Sequence, residues 1–176
     1  MEIIQDIIKI GSVNRPGAKN SCTSITIHDT ANKKAGANAR SHAKYIKTLN
    51  SRTSWHYTVD DKEIYRHIPD EEKSYHTSST KANENSISIE LCVNSDGNFE
   101  KTVDNAVWLV RELMSKHKIA PSAILSHRDW TGKNCPETLF EYGWEEFVSR
   151  CSEPTGKSGF ITVDELKKLG YDGIAF

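Results

Sequence analysis

The chain has 176 residues, which suits one domain, or one domain with a short appendage, and is enough to bury a hydrophobic core without disulfide support. Its net charge of −1 and pI near 6.7 give no electrostatic reason to expect nucleic acid or an anionic membrane as partner. Mean hydropathy is −0.60, and no apolar run approaches the roughly 20 residues of a membrane span, so membrane insertion is not expected.

The opening "MEIIQDIIKIGSV" sets Glu2 and Asp6 among its isoleucines and lacks the basic start and unbroken apolar stretch of a signal peptide. Synthesis in the cytoplasm without a dedicated export signal is the expectation. Cys22, Cys92, Cys135 and Cys151 are then expected as reduced thiols. After the turn-rich "GSVNRPGAKN", the segment "SCTSITIHDT" reads as a strand, Ile25 and Ile27 alternating with Thr26 and His28. "NARSHAKYIKTL" carries Ala39, Ala43, Ile46 and Leu49 at helical spacing. "SWHYTVDD" and "KEIYRHIP" predict two strands around an acidic turn at Asp60 and Asp61, followed by a polar loop from Asp70 to Asn85.

"SISIELCV" is the clearest strand, with Ile87, Ile89 and Leu91 on one side and Ser88, Glu90 and Cys92 on the other. Beyond the turn "NSDGN", the stripe Val103, Ala106, Val107, Val110, Leu113 and Met114 predicts a helix ending near His117. "AILSH" reads as a short strand and "ETLFEYGWEEFVSRC" as a helix interrupted at Gly143. This interleaving predicts an α/β fold, a mixed central β-sheet flanked by helices. The linker-like "SEPTGKSG" sets residues 1–151 apart from a segment 152–176. That segment holds one short helix with a capping box at Thr162 and Glu165, and is read as packing against the main domain or as the start of a second module.

The chemistry-bearing residues fall on the polar sides of the two clearest strands and in one loop-like run. His28 and Glu90 reach a common surface if their strands are neighbours, and "SHRDWTGKNCP" adds His127, Lys133 and Cys135. Two imidazoles and a thiolate leave zinc an open fourth position, with Glu90 as proton acceptor and Lys133 as a positive charge beside an oxyanion. The same residues also permit a cysteine nucleophile with His127 or His28 as base, or ordinary structural roles. Spacing alone does not choose among them.

"TSITIHDT", "SWHYTVDD", "NSISIELC" and "SHRDWTGKNCP", in this order, resemble the zinc-dependent N-acetylmuramoyl-L-alanine amidases of the type-2 amidase and peptidoglycan recognition protein superfamily, in particular phage endolysin catalytic domains. The resemblance covers roughly residues 21–150. It implies Zn²⁺ as cofactor with His28, His127 and Cys135 as metal ligands, Glu90 and Lys133 as catalytic residues, and bacterial cell-wall peptidoglycan as partner. The reaction implied is cleavage of the amide between N-acetylmuramic acid and L-alanine, after release of the enzyme to the wall, with residues 152–176 read as the start of a wall-binding module or an oligomerising element. Some members carry a tyrosine where this sequence has Trp55, so Trp55 is expected as a wall of the substrate groove, and Trp130 as a platform for sugar or peptide. His56 is expected to be structural. His42, His67 and His117 are expected in solvated or capping roles, and His76 at the surface or lining a groove. A peptidoglycan-binding protein without activity is the alternative within the superfamily. Cys135 weighs against it, because non-hydrolytic members generally lose that ligand.

Overall fold

The structure, a computed structural model, describes residues Met1–Glu153. The expected C-terminal helix lies outside these residues, and the expected boundary between residues 151 and 152 falls at the last residue of the helix Glu137–Ser152. Six strands form one sheet: β1 (Ile3–Gln5), β2 (Ser24–Asp29), β3 (Tyr57–Val59), β4 (Ile64–Arg66), β5 (Ser86–Leu91) and β6 (Ile124–Ser126), in the spatial order β1-β4-β3-β5-β2-β6. Only the β3–β4 hairpin, around the predicted turn, is antiparallel; β3, β5, β2 and β6 run parallel. The N-terminal arm supplies the edge strand β1, parallel to β4.

The alternation read from the sequence decides which face each strand buries. Ile25, Ile27, Ile87, Ile89 and Leu91 form the main core with α3 (Phe99–His117) and α5 (Glu137–Ser152). Asn98 caps α3 by accepting from the Lys101 N–H, so the helix starts a turn before its apolar stripe. In α5, Gly143 adopts φ 143°, which other residues rarely reach, and the helix breaks there as the sequence predicts. On the opposite face α1 (Ala39–Ile46) packs Ala39 and Ala43 against Tyr65 and Cys92. All four cysteines are buried free thiols.

That opposite face is polar yet buried. Thr26 and Ser86 share a hydrogen bond of 2.6 Å. His56 accepts from the Ser88 N–H through Nδ1 at 2.9 Å and donates from Nε2 to the Glu72 carbonyl at 2.8 Å, which fixes its tautomer and makes it structural. His67 is also fully buried, bonded to Thr58, rather than solvated, because the chain keeps pairing beyond Arg66, the His67 N–H donating to the His56 carbonyl at 2.8 Å. The polar stretch Asp70–Asn85 covers this layer, and its last residues form a helix, α2 (Thr80–Asn85), where the sequence predicts only loop.

Asp70 ties this cover to α3. Its fully buried carboxylate accepts from Tyr57 Oη at 2.5 Å, Lys116 Nζ at 2.8 Å and His117 Nε2 at 2.8 Å, with Arg66 at 2.9 Å. Burial alone would raise its pKa; the hydrogen bonds from Lys116, Tyr57 and His117, with the charge of Arg66, outweigh that and bring it down to about 2. A carboxyl held below its unfolded value stabilises the fold above that value and loses the contribution as pH falls through the folded one. Acid unfolding should therefore gain from Asp70 between about pH 4 and pH 2. Asp70→Asn should cost about 3–5 kcal/mol in urea titrations at pH 7, since it strands buried donors and cations. A loss under 1 kcal/mol would count against this role.

Candidate metal centre

Three parallel neighbours, β5, β2 and β6, deliver side chains to the same end of the sheet. His28 and Glu90 are direct register partners on β2 and β5, one residue from each strand's end. β6 ends at Ser126, and His127 opens a one-turn helix, α4 (His127–Thr131). Ser126 caps that helix: it accepts from the Asp129 N–H, and the Asp129 carboxylate accepts from the Ser126 N–H at 2.7 Å. Gly132, at φ 78°, stops it. The loop-like run is thus a capped turn followed by a loop, and the "SHRD" capping box is its sequence signal.

The loop then returns Cys135 to His28. The Arg128 N–H donates to the Cys135 carbonyl at 3.2 Å, and Arg128 also bonds Asn134. Asp29, at the end of β2, accepts from the Thr138 N–H at 2.8 Å and so anchors the start of α5 beside Cys135. No motif in the sequence marks this aspartate for that role.

As a result His28 Nδ1 lies 3.1 Å from His127 Nδ1 and 3.7 Å from Cys135 Sγ, and all three donor atoms lie within 4.8 Å of one another. Tetrahedral zinc at ordinary bond lengths separates two nitrogens by roughly 3.3 Å and nitrogen from sulfur by roughly 3.6 Å. The donor set therefore fits zinc in both chemistry and spacing. Burial, followed by the charges of His76, His127 and Lys133, lowers the pKa of His28 well below the usual histidine value; burial and Lys133 lower that of His127. Both are neutral at pH 7, as ligands must be. Burial pushes the Cys135 thiol up to about 12, against a hydrogen bond from the Asp29 backbone.

Glu90 completes the arrangement. Burial, with Asp29 adding to it and Lys133 opposing it, raises its pKa well above the ordinary carboxylate value. Its Oε2 is buried without a partner. Lys133 is exposed on an open groove of about 460 Å³ that also borders His127, His76, Tyr75 and Arg52. A second acidic group among the described residues, Asp70, Glu71 and His117, already holds Lys116 and Arg66 as counter-charges.

The two expected aromatic platforms are placed otherwise. Trp55 is 7% exposed in a small core of Ile8, Ile46 and Ile68, with its indole N–H on Thr58 at 2.7 Å. It lies before β3 begins, so strand alternation does not carry it to the groove, and it is no groove wall. Trp130 is half-buried and turns its indole N–H inward to Thr26 at 2.9 Å, fastening α4 to β2. That anchors His127 instead of offering the indole's polar edge to a ligand. His76, by contrast, bonds His28 directly, at 2.9 Å.

Fold and centre together define a family. Residues 18–138 match the N-acetylmuramoyl-L-alanine amidase family, and the chain belongs to it. It is 44% identical over 149 residues to N-acetylmuramoyl-L-alanine amidase XlyA of Bacillus subtilis, covering 84% of this chain and 50% of that protein. With N-acetylmuramoyl-L-alanine amidase CwlH of the same organism it shares 42% identity over 153 residues, covering 85% and 61%. The catalytic domain of XlyA superposes with a TM-score of 0.83 at 43% identity over 86% of this chain and 99% of that one. PlyL superposes at 0.80 with 30% identity, over 87% and 98%. The chain thus spans about half to three-fifths of the length of these two amidases and nearly all of the solved domains.

Proposed function

We propose that the chain acts as a zinc-dependent peptidoglycan hydrolase that cleaves the amide between N-acetylmuramic acid and L-alanine. The observation that carries this reading is the convergence of His28 Nδ1, His127 Nδ1 and Cys135 Sγ beside the unpartnered carboxylate of Glu90. A zinc ion held by the three would polarise the scissile carbonyl and bring the pKa of a water to about 7.

Glu90 takes a proton from the attacking water and passes it to the leaving amine of L-alanine. Burial raises its proton affinity above that of an ordinary carboxylate, which suits a group that must take a proton and then deliver it. Lys133, on the groove beside His127, places positive charge where the carbonyl oxygen becomes anionic.

A cysteine hydrolase built on Cys135 finds less support. A nucleophilic thiol needs a lowered pKa, whereas burial moves Cys135 the other way. Digestion of purified Bacillus cell walls separates the two mechanisms. The expected products are stem peptides with free N-terminal alanine, formed without new reducing sugar ends, and the activity should vanish with a chelator and return with zinc. Activity that survives chelation but not alkylation would overturn the metal reading, and new reducing ends would overturn the bond assignment.

A further inference from the structure

His28 has two ring nitrogens, and they face different neighbours. Nδ1 faces His127 and Cys135. Nε2 lies 2.9 Å from Nδ1 of His76, with the two rings edge to face at 85° and centroids 5.1 Å apart. A neutral imidazole that offers Nδ1 to a metal must carry its proton on Nε2, and that buried proton needs an acceptor. His76 Nδ1 is the acceptor within reach.

This assignment fixes His76 in turn. With Nδ1 accepting, its proton sits on Nε2, which is buried and has no hydrogen-bond partner among the described residues. The position of the ring is held from behind by α2. Asn83, 6% exposed, accepts from the N–H groups of His76 and Thr77 at 3.0 and 3.1 Å and donates to the Thr77 carbonyl at 3.0 Å. Ser79 caps α2 and keeps Asn83 in place. A side chain from the polar cover of the sheet is therefore fixed against the back of His28.

We propose that His76 is a positioning residue for the metal centre: by accepting from His28 Nε2–H it sets the tautomer and ring orientation with which His28 meets the ion. The inference rests on the zinc reading above. Partners of this kind are worth roughly 10–100-fold in metal affinity.

The test is competition for zinc against a chromophoric chelator, with wild type, His76→Ala and His76→Gln side by side, and thermal melting of each protein in its metal-free form. His76→Ala should bind zinc roughly 10–100-fold more weakly. His76→Gln, whose amide oxygen can accept the same hydrogen bond, should recover most of that loss, and the metal-free proteins should melt within a few degrees of one another. Nitrogen NMR of zinc-loaded wild type should find the His28 proton on Nε2. Equal zinc affinity in all three proteins would overturn the proposal, including the case where His76→Ala raises only KM, which would make His76 a substrate contact. A loss that follows metal-free stability and is not rescued by glutamine would overturn it too, as would a His28 proton on Nδ1. If His76→Ala fails to fold, the glutamine variant and the NMR result decide. Wild-type protein that takes up no zinc would instead sink the zinc reading itself.

Discussion

Glu90→Gln is expected to lower wall hydrolysis by roughly 10²–10⁴-fold at pH 7 while leaving zinc content unchanged. Glutamine keeps the shape of the side chain and removes its capacity to take a proton. The same change should not weaken the fold. In metal-free protein the Glu90 carboxyl is held well above its ordinary pKa, chiefly by burial and then by Asp29. Folding therefore favours the protonated carboxyl, a cost that grows as pH rises above the unfolded value until it reaches the folded one. A neutral glutamine avoids it. Metal-free Glu90→Gln should therefore melt at or above the wild-type temperature at pH 7, while the two proteins converge near pH 4. A variant that keeps more than about a tenth of wild-type activity would remove Glu90 from the proton-transfer role.

Cys135→Ser is expected to take zinc content from about one ion per chain to a small fraction of that, with hydrolysis falling alongside. A serine hydroxyl at this site is a much poorer ligand than a thiolate, and the remaining pair of imidazoles is not a closed donor set. The electrostatics add a quantitative signature. His28 and His127 are already neutral at pH 7, while the thiol, pushed up to about 12, still carries its proton. Zinc uptake should thus release about one proton per ion from the thiol and, as a bound water of pKa about 7 ionises, toward two by pH 9, with Cys135→Ser releasing about one fewer. Calorimetry in buffers of different ionisation enthalpy measures that release. A release no greater than that of Cys135→Ser would mean the thiol stays protonated and Cys135 is not a ligand; full zinc content in Cys135→Ser would equally exclude it as one.

Much of this centre is legible in the sequence, because its parts sit on elements with strong local signals. Strict alternation in "TSITIHD" and "SISIEL" puts His28 and Glu90 on the polar sides of two strands, and both strands form as predicted. That they are neighbours in a register that pairs His28 with Glu90 is a long-range fact that no local pattern encodes. The two short helices escape sequence prediction for different reasons. α2 is only six residues long, within a polar stretch that lacks an apolar stripe. α4 announces itself through its capping box, but five residues are too few for periodicity to register. Trp55 lies away from its expected place because that expectation rests on a tyrosine of the similar family at this position, whereas here the residue lies just outside β3 and packs with Ile8, Ile46 and Ile68. His76 gives no usable signal: its placement depends on Asn83, seven residues further on, and on a strand 48 residues before it.

The buried polar face of the sheet bears on how exact the centre can be. A one-residue slip of β5 against β2 would bring Ser86, Ser88 and Glu90 into the apolar layer beneath α3 and push Ile87 and Ile89 among the imidazoles and hydroxyls of the other side. Such a slip is penalised twice, once by stranded hydroxyl and main-chain groups and once by exposed isoleucines seeking partners that are not there. A sheet with one solvated face polices its alignment from one side only. Here both sides do, and the alignment they enforce is the one that sets Glu90 opposite His28.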